Sequence, residues 1–153
     1  NEAGIRFVHW RCADAGRASR FYEEVFGCVV WRAAGSAIAA VCVGPSVHLV
    51  FSSAPAARGG EAAQRARGVH ICVYTSEFQR AHDRLRERGL IWTNPRFAHL
   101  DSCGTYEEAA AGRQFRFRYL RDACTGEDLA ELEHEVRSLR HLQFMKHVHY
   151  IAR

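Results

Sequence analysis

The stretch VHWRC at residues 8–12 is echoed in the second half of the chain by VHICV at residues 69–73. Both stretches are apolar enough for half-buried strands, and a helical pattern that ends in glycine follows each of them. An ordered recurrence of this kind indicates two copies of one structural unit. We therefore predict a tandem repeat in which His9 and His70 occupy matching positions on the first strand of each copy.

The helices predicted after these stretches are built alike. In the first copy Asp14 is a suitable N-cap, apolar residues recur at helical spacing, and Gly27 ends the helix. In the second copy Ser76 is the expected cap and Gly89 the expected end. The apolar positions are Ala18, Phe21, Tyr22, Val25 and Phe26 in the first helix and Phe78, Ala81 and Leu85 in the second.

Short β-like runs follow each glycine. They cover residues 28–33, 37–43, 46–52, about 90–98, 114–121 and 128–134. Each copy thus has the order β-α-β-β-β, which predicts an α+β fold in a single domain over 1–153. The predicted parts are module one at 5–53, module two at 68–135 and a C-terminal extension at 136–153. Long loops are expected at 53–67 and at 99–112, and the second of these is placed to cover a substrate.

The C-terminal extension is predicted to be helical. Its apolar residues Leu139, Leu142, Met145 and Val148 recur every three positions. Three histidines lie in the same segment, at positions 141, 147 and 149. On a helix, residues two apart diverge, so we interpret them as surface histidines; the alternative is an extended arm over 146–151 exchanged between subunits.

Composition favours a soluble protein with its own core. Of the 153 residues, 48% are hydrophobic and 25% are charged. The net charge of +4 comes from arginines scattered among acids, and Lys146 is the only lysine, so nucleic-acid binding is not expected. No apolar run approaches the roughly 20 residues that span a bilayer. Six cysteines without a CxxC pair are typical of reduced thiols, and we expect a cytoplasmic protein with no membrane partner.

Residues 113–121, GRQFRFRYL, alternate arginine with aromatic side chains. Such alternation occurs in proteins that bind single-stranded nucleic acid. The same period of two also describes a half-buried strand, and we favour the strand.

His9 alone is a weak candidate for a site, because a lone histidine on a strand is usually structural. The repeat strengthens it: if a pseudo-twofold axis relates the halves, the first strands lie as partners, and His9 and His70 approach one point. The last strands should correspond as well, which relates His48 to Glu131. Glu131 and Glu133 share one strand face, so spacing alone leaves the choice between them open.

These features resemble the vicinal oxygen chelate superfamily, which includes glyoxalase I, methylmalonyl-CoA epimerase, extradiol dioxygenases, fosfomycin-resistance thiol transferases and bleomycin-binding proteins. The resemblance covers roughly residues 5–135. It rests on FVH at 7–9, SRFYEEVFG at 19–27, GVH at 68–70, YLRD at 119–122, Gly126 and LAEL at 129–132. In the family a Glu before Leu lies on the last strand, which points to Glu131 over Glu133. Ala123 stands where the family usually has proline, and the turn here is longer.

The resemblance implies a half-open mixed β-barrel made of paired modules, and a homodimer that completes the cavity. It implies His9, His70 and Glu131 as ligands of a divalent metal ion. Two histidines with one carboxylate are typical of non-haem Fe(II) oxygenases, and extradiol dioxygenases of this superfamily take ligands from these positions. Fe(II) is therefore the favoured metal and a dioxygenase the favoured activity, with His48 as an acid–base group and Tyr119 as a second catalytic residue.

The resemblance also allows other activities. His48 would instead be a fourth ligand in a glyoxalase- or epimerase-like lyase or isomerase, which would favour Zn, Ni or Co. Mn is a further candidate for the metal ion. A metal-free drug-binding resistance protein is a third reading, and a subunit that shapes a pocket in a biosynthetic complex is a fourth.

Arg11 and Cys72 lie two residues beyond His9 and His70, so each shares the strand face of its candidate ligand. An inward arginine beside a metal indicates a small anionic substrate, and the alternative is a salt bridge from Arg11 to Glu133. Cys72 is a second candidate substrate contact, although packing is its simpler role.

Overall fold

The computed structural model describes residues 4–54, 65–99 and 102–144, and for residues 65–68 it describes the backbone alone. The first module contains β1 (Phe7–Cys12), α1 (Ala15–Phe26), β2 (Val30–Arg32), β3 (Ile38–Gly44) and β4 (Val47–Ser53). Its strands form a sheet in the order β1-β4-β3-β2, with β1 parallel to β4 and the other pairs antiparallel. The predicted β-α-β-β-β order of this module is confirmed.

α1 begins and ends where its capping residues predict. The Asp14 side chain accepts a hydrogen bond from the Arg17 N–H at 2.9 Å. Gly27 ends the helix in the left-handed region at φ 70°, a conformation that glycine adopts without strain. Between these caps the predicted apolar stripe is buried, with Phe21 and Tyr22 each 2% exposed.

The second module contains β5 (Arg65–Thr75), α2 (Phe78–Glu87), a 3-10 turn (Pro95–Phe97), α3 (Tyr106–Gly112), β6 (Gln114–Arg121) and β7 (Asp128–Ser138). Its sheet has the order β5-β7-β6, with β5 parallel and β6 antiparallel to β7. The strand predicted over 90–98 is reduced to a bridge between Ile91 and Phe117. Pro95 has no N–H for a ladder, and the Asn94 side chain accepts from the Arg96 N–H, so the chain turns there.

The helices of the second module differ from the predictions in two ways. The N-cap of α2 is Glu77 and not Ser76, and its side chain makes no capping bond. The loop predicted over 99–112 contains α3, which begins with a capping box between Thr105 and Glu108. Tyr106 of α3 packs against Phe78 of α2 at 6.5 Å, so α3 lies on the helix-covered side of the sheet and is not a lid over its other face.

The end of the described chain also differs from the prediction. β7 continues to Ser138 because it pairs with β5 as far as Thr75. The helix predicted from residue 136 is therefore wrong over 136–144, where a strand is followed by turns. His141 and Phe144 instead pack their rings against Tyr74, at 6.4 and 5.0 Å. Residues 145–153, with His147 and His149, lie outside the described residues.

α1 lies between the two sheets of the described chain. The Tyr22 ring packs against Phe51 of β4 at 5.6 Å and against His134 of β7 at 5.7 Å. Phe21 packs against Phe117 of β6 at 5.7 Å. The sheets are separate and open, β1 does not pair with β5, and the N–H of Ala13 after β1 donates to the carbonyl of Leu129 in β7 at 2.8 Å. The expectation that the first strands lie as partners within one chain is therefore wrong.

A polar contact reinforces the junction between the modules. The Arg17 side chain of α1 forms ion pairs with Asp122 at 2.9 Å and with Glu127 at 2.7 Å, both in the turn before β7. Arg17 and the Thr125 N–H together hold the pKa of the Asp122 carboxyl well below its ordinary value. Within the described ranges, no helix is long and apolar enough to cross a membrane.

Candidate functional site

One face of the first sheet is turned away from α1 and presents both histidines of the first module. On β1, Phe7, His9 and Arg11 are exposed while the alternate residues turn toward the core. β1 pairs in parallel with β4, and Phe7 lies opposite His48. We call this surface the first open face; its members are Phe7, His9, Arg11, Trp31, Ile38 and His48.

Neighbouring side chains hold the histidines of the first open face. Nε2 of His9 lies 2.8 Å from the Ser52 hydroxyl. The ring of His48 meets the ring of Trp31 edge-on, with 5.2 Å between the centroids. Both imidazoles are thus oriented by contacts within the sheet, and we call His9 and His48 the first half-site.

The corresponding surface of the second sheet carries the charged residues of the second module. His70 pairs in register with Glu133, and Cys72 with Glu135. Residues two apart share a strand face, so Glu131 lies on the same side of the sheet. We call this surface the second open face; its members are His70, Cys72, Arg116, Arg118, Glu131, Glu133 and Glu135.

Register relates the two faces. In the first sheet His9 pairs with Val50, and His48 lies two residues before that partner. In the second sheet His70 pairs with Glu133, and Glu131 lies two residues before that partner. His48 and Glu131 therefore occupy equivalent positions in the two modules. His70 and Glu131 form what we call the second half-site.

The carboxylates of the second open face differ in their partners. Glu133 accepts from Arg116 and from Asn94, each at 3.1 Å, and Glu135 pairs with Arg116 at 3.1 Å and with Arg137. Glu131 is held by Arg118, whose Nε lies 2.9 Å from Oε1. Glu133 is therefore tied into a largely buried network, whereas Glu131 has a partner whose side chain is 40% exposed.

The remaining predicted site residues are placed as follows. Arg11 is exposed on the first open face, and its alternative partner Glu133 is engaged by Arg116, so that salt bridge is absent from the described part of the chain. Tyr119 pairs in register with Glu131, and the Arg118 guanidinium lies 5.7 Å from the centre of its ring. Cys72 is exposed, and partial desolvation raises the pKa of its thiol, which disfavours nucleophilic chemistry.

The chain does not bring the predicted metal ligands together by itself. Across residues 4–54, 65–99 and 102–144, no three His, Cys, Asp or Glu side chains lie close enough to hold a metal ion. His9 and His70 lie on β1 and β5, which belong to separate sheets. The donor types, imidazole and carboxylate, do suit a borderline divalent ion. Each half-site offers two such donors.

The sequence analysis missed the arginines that organise the second open face. Arg116 and Arg118 alternate with the buried Phe115 and Phe117 on β6. The signal was present in the alternating GRQFRFRYL segment, because burial of the phenylalanines turns the arginines to the opposite face. Trp92, which packs against Arg118, had no comparable signal, since it lies in an irregular segment.

The glyoxalase-like domain family model matches residues 7–90 of the chain, which contain the first open face and the strand that carries His70. The chain belongs to the glyoxalase-like domain family. This glyoxalase-like protein is accordingly a member of the vicinal oxygen chelate superfamily. No match was found among curated protein sequences.

Solved structures resemble the glyoxalase-like protein over nearly its whole length. The oxidase ChaP-H2 is 18% identical, with a TM-score of 0.57, over 94% of this chain and 99% of that one. The fosfomycin resistance protein FosX from Mesorhizobium loti is 17% identical, with a TM-score of 0.53, over 90% and 92% of the chains. A FosX variant from Listeria monocytogenes, solved with Mn(II) and 1S,2S-dihydroxypropylphosphonic acid, is 11% identical, with a TM-score of 0.54, over 90% and 93%. These likenesses establish the fold.

Proposed function

We propose that this protein is a metal-dependent enzyme that works as a homodimer on a small, anionic, oxygen-rich substrate. The reaction that we favour is that of a non-haem Fe(II) dioxygenase. The observation that carries the proposal is the equivalence of the two half-sites: His9 and His48 on one open face, His70 and Glu131 on the other.

Both half-sites lie beside the edges of their sheets. β1 is an edge strand of the first sheet and β5 an edge strand of the second. An edge strand presents unpaired N–H and C=O groups to a second chain. A twofold axis that set β1 of one subunit beside β5 of its partner would build two identical sites, each with both half-sites.

Exposed apolar side chains support an interface in this region. Phe7 is 59% exposed, Trp31 50% and Ile38 56% on the first open face, and Val69 of β5 is 51% exposed. Clustered exposed apolar residues usually mark contact surfaces or ligand clefts. A partner subunit that covered them would also remove water from the cavity between the faces.

The donor set then determines the chemistry. When bound, a divalent ion held by His9, His70 and Glu131 supplies open positions for adjacent substrate oxygens. Arg11 on the first open face provides a guanidinium for an anionic group of the substrate. The edge-on contact with Trp31 orients the His48 ring separately from His9, which favours a proton-transfer role for His48 in the dioxygenase.

A second candidate is a glyoxalase- or epimerase-like lyase or isomerase with Zn, Ni, Co or Mn. The observation in its favour is that His48 occupies the position equivalent to Glu131, as a fourth ligand would. In that case His9, His48, His70 and Glu131 would all bind the ion.

Metal analysis tests the proposal. Protein purified without chelator is expected to bind one divalent ion per chain, and His9→Ala, His70→Ala and Glu131→Gln are each expected to lower that content more than tenfold. His99→Ala is a matched control, because His99 is exposed and lies outside both open faces. Metal content unchanged by all three substitutions would contradict the proposal and leave the metal-free binding protein as the better reading.

Oxygen uptake separates the two candidate reactions. After anaerobic loading with Fe(II), the dioxygenase is expected to consume oxygen with at least one member of a panel of catechols and related diols. The lyase or isomerase would be favoured if metal binding also required His48 and no compound of the panel led to oxygen uptake.

A further inference from the structure

We propose that Arg118 is an exchangeable partner of Glu131: it holds the carboxylate in the metal-free protein and, once a divalent ion binds Glu131, becomes the binding group for a carboxylate of the substrate. This inference rests on the proposed function, because it requires Glu131 to be a metal ligand. It assigns Arg118 as a residue that determines substrate specificity, and it identifies the substrate as a carboxylic acid.

The first argument is the difference between Glu131 and its neighbours on the strand. Arg116 bridges Glu133 and Glu135, and its side chain is 8% exposed. Displacing that guanidinium would leave Glu133 with Asn94 and Glu135 with Arg137 in a largely buried setting, which is costly. The side chain of Glu131 is about as buried as that of Glu133, at 19% and 20% exposed, but the Arg118 side chain is 40% exposed, so water solvates this guanidinium when the pair separates.

The second argument is the geometry of the pair. Nε of Arg118 donates to Oε1 of Glu131 at 2.9 Å, and Nη2 of Arg118 donates to the same oxygen. No hydrogen bond from the described residues reaches Oε2. Among the described residues, Oε2 is therefore the oxygen that a cation would contact first, and the proposed exchange would proceed stepwise.

The third argument is that Arg118 has supports that do not depend on Glu131. Its guanidinium lies 5.6 Å from the centre of the Trp92 ring and 5.7 Å from that of Tyr119. Cation–π contacts of this kind hold a guanidinium in place when its carboxylate partner is lost. Arg118 would thus remain beside Glu131, close to the ion that Glu131 binds.

The fourth argument is electrostatic. A divalent ion neutralises Glu131 and repels the neighbouring guanidinium, which then lacks a counter-charge. A planar guanidinium with its donors free matches the two oxygens of a carboxylate. Metal binding and carboxylate binding should therefore strengthen each other, by the same factor in either direction.

The test uses Co(II) as the metal probe and benzoate as a monocarboxylate probe. Co(II) is titrated into the wild-type protein, Arg118→Gln and Arg121→Gln, with and without benzoate, and binding is followed by the visible absorption of Co(II). Arg121→Gln is the matched control, since Arg121 lies on the same strand, is similarly exposed and pairs with Asp128 away from Glu131.

In the wild-type protein and Arg121→Gln, benzoate is expected to tighten Co(II) binding about fivefold. In Arg118→Gln we expect Co(II) to bind about threefold tighter without benzoate, because its competitor is gone, and benzoate to change the affinity less than twofold. Since the Arg118 side chain is 40% exposed, the variant should unfold close to the wild-type urea concentration, which would show that its fold is intact.

Three results would overturn the inference. Coupling that persists in Arg118→Gln would place the benzoate on the metal itself, and unchanged Co(II) affinity in that variant would mean that Arg118 does not compete for Glu131. In both of these cases the proposed function would still hold if substitution of His9 or His70 abolished Co(II) binding. Absence of Co(II) binding to the wild-type protein would overturn the proposed function and this inference together.

Discussion

The hydroxyl of Tyr22 donates a hydrogen bond to Nε2 of His134 at 2.6 Å, and this bond joins the helix of the first module to the last strand of the second. Nδ1 of His134 donates to the Leu132 carbonyl at 2.7 Å, which specifies a neutral imidazole with its proton on Nδ1. Both side chains are almost completely buried. The junction between the modules therefore depends on a polar pair that water does not reach.

Removing the donor of this pair should weaken the whole fold. Tyr22→Phe keeps the ring and leaves Nε2 of His134 buried without a partner, so we expect the free energy of unfolding to fall by about 1–3 kcal/mol. Urea denaturation measures the loss. The double variant Tyr22→Phe with His134→Phe removes both polar groups and should recover most of the lost stability. If Tyr22→Phe unfolded at the wild-type urea concentration, the bond would have no net stabilising role.

Acid should destabilise the protein through His134. Burial lowers the pKa of this imidazole from 6.5 to about 3. Below pH 6.5 this histidine is therefore protonated in the unfolded chain, whereas in the folded chain it stays neutral until about pH 3. Stability is complete above pH 6.5 and falls as the pH drops toward 3, by up to about 1.4 kcal/mol per pH unit from this residue.

Between pH 6.5 and 4 His141 contributes as well, because burial lowers the pKa of its imidazole, so the comparison with a variant that lacks His134 is needed to separate the two histidines. The lowered pKa of Asp122 contributes stability that is lost only below its ordinary value of 3.8. Urea midpoints measured between pH 7 and pH 4 should decline in the wild type and much less in the double variant at Tyr22 and His134. Equal slopes in the two proteins would contradict the assignment to His134.

Subunit mixing tests whether each site contains residues of two chains. His9→Ala and His70→Ala proteins, refolded together, should form mixed dimers with one intact and one doubly altered site. Because about half of the dimers are mixed, the metal content should recover to about one quarter of the wild-type value. Metal analysis after removal of unbound ion gives the measurement.

The control for this experiment mixes two variants of the same half-site. His70→Ala with Glu131→Gln leaves one altered ligand in every site of every dimer, so no recovery is expected. Recovery of metal content in this control would rule out sites that combine the first half-site of one subunit with the second half-site of its partner. Such sites would also be ruled out if the mixture of His9→Ala and His70→Ala recovered no metal content.

The two arginines of the second open face should differ in their contribution to stability. Arg116→Met removes a buried guanidinium from both Glu133 and Glu135, which keep Asn94 and Arg137 as partners within the described residues, and we expect a loss of about 3 kcal/mol. Arg118→Met breaks a pair at the solvent edge and should cost less than about 1 kcal/mol. Urea denaturation of the two variants compares them directly. Equal losses of unfolding free energy in the two variants would mean that burial does not change how much each ion pair contributes to stability.

Much of the first module could be predicted because its signals are local. The Asp14 cap, the Gly27 end and the apolar stripe between them define α1 with no reference to the rest of the chain. β6 was predicted with its observed bounds, 114–121, because strict alternation marks a strand with one buried face. The same alternation assigns His9 and Arg11 to one face of β1.

The errors occur where long-range contacts compete with local patterns. Residues 136–138 have helical spacing in the sequence, yet they join β7 because β5 offers a parallel partner as far as Thr75. Phe144 and His141 then fold onto Tyr74 and do not continue a helical stripe. The sequence does not show which surfaces will meet, and pairing with a formed strand outweighs a weak helical preference.

By itself, the sequence determined the repeat and the strand faces, and it offered His9, His48 and His70 as candidate donors, because residue type and period of two are local properties. Spacing left Glu131 and Glu133 open, and only the resemblance pointed to Glu131. Only the tertiary structure decided that β1 and β5 lie in separate sheets, that Arg116 pairs with Glu133, and that Arg118 pairs with Glu131. Those relationships depend on packing between residues distant in the chain. The pairing that we propose, between the sheet that carries His9 in one subunit and the sheet that carries His70 in its partner, would use the open faces described above.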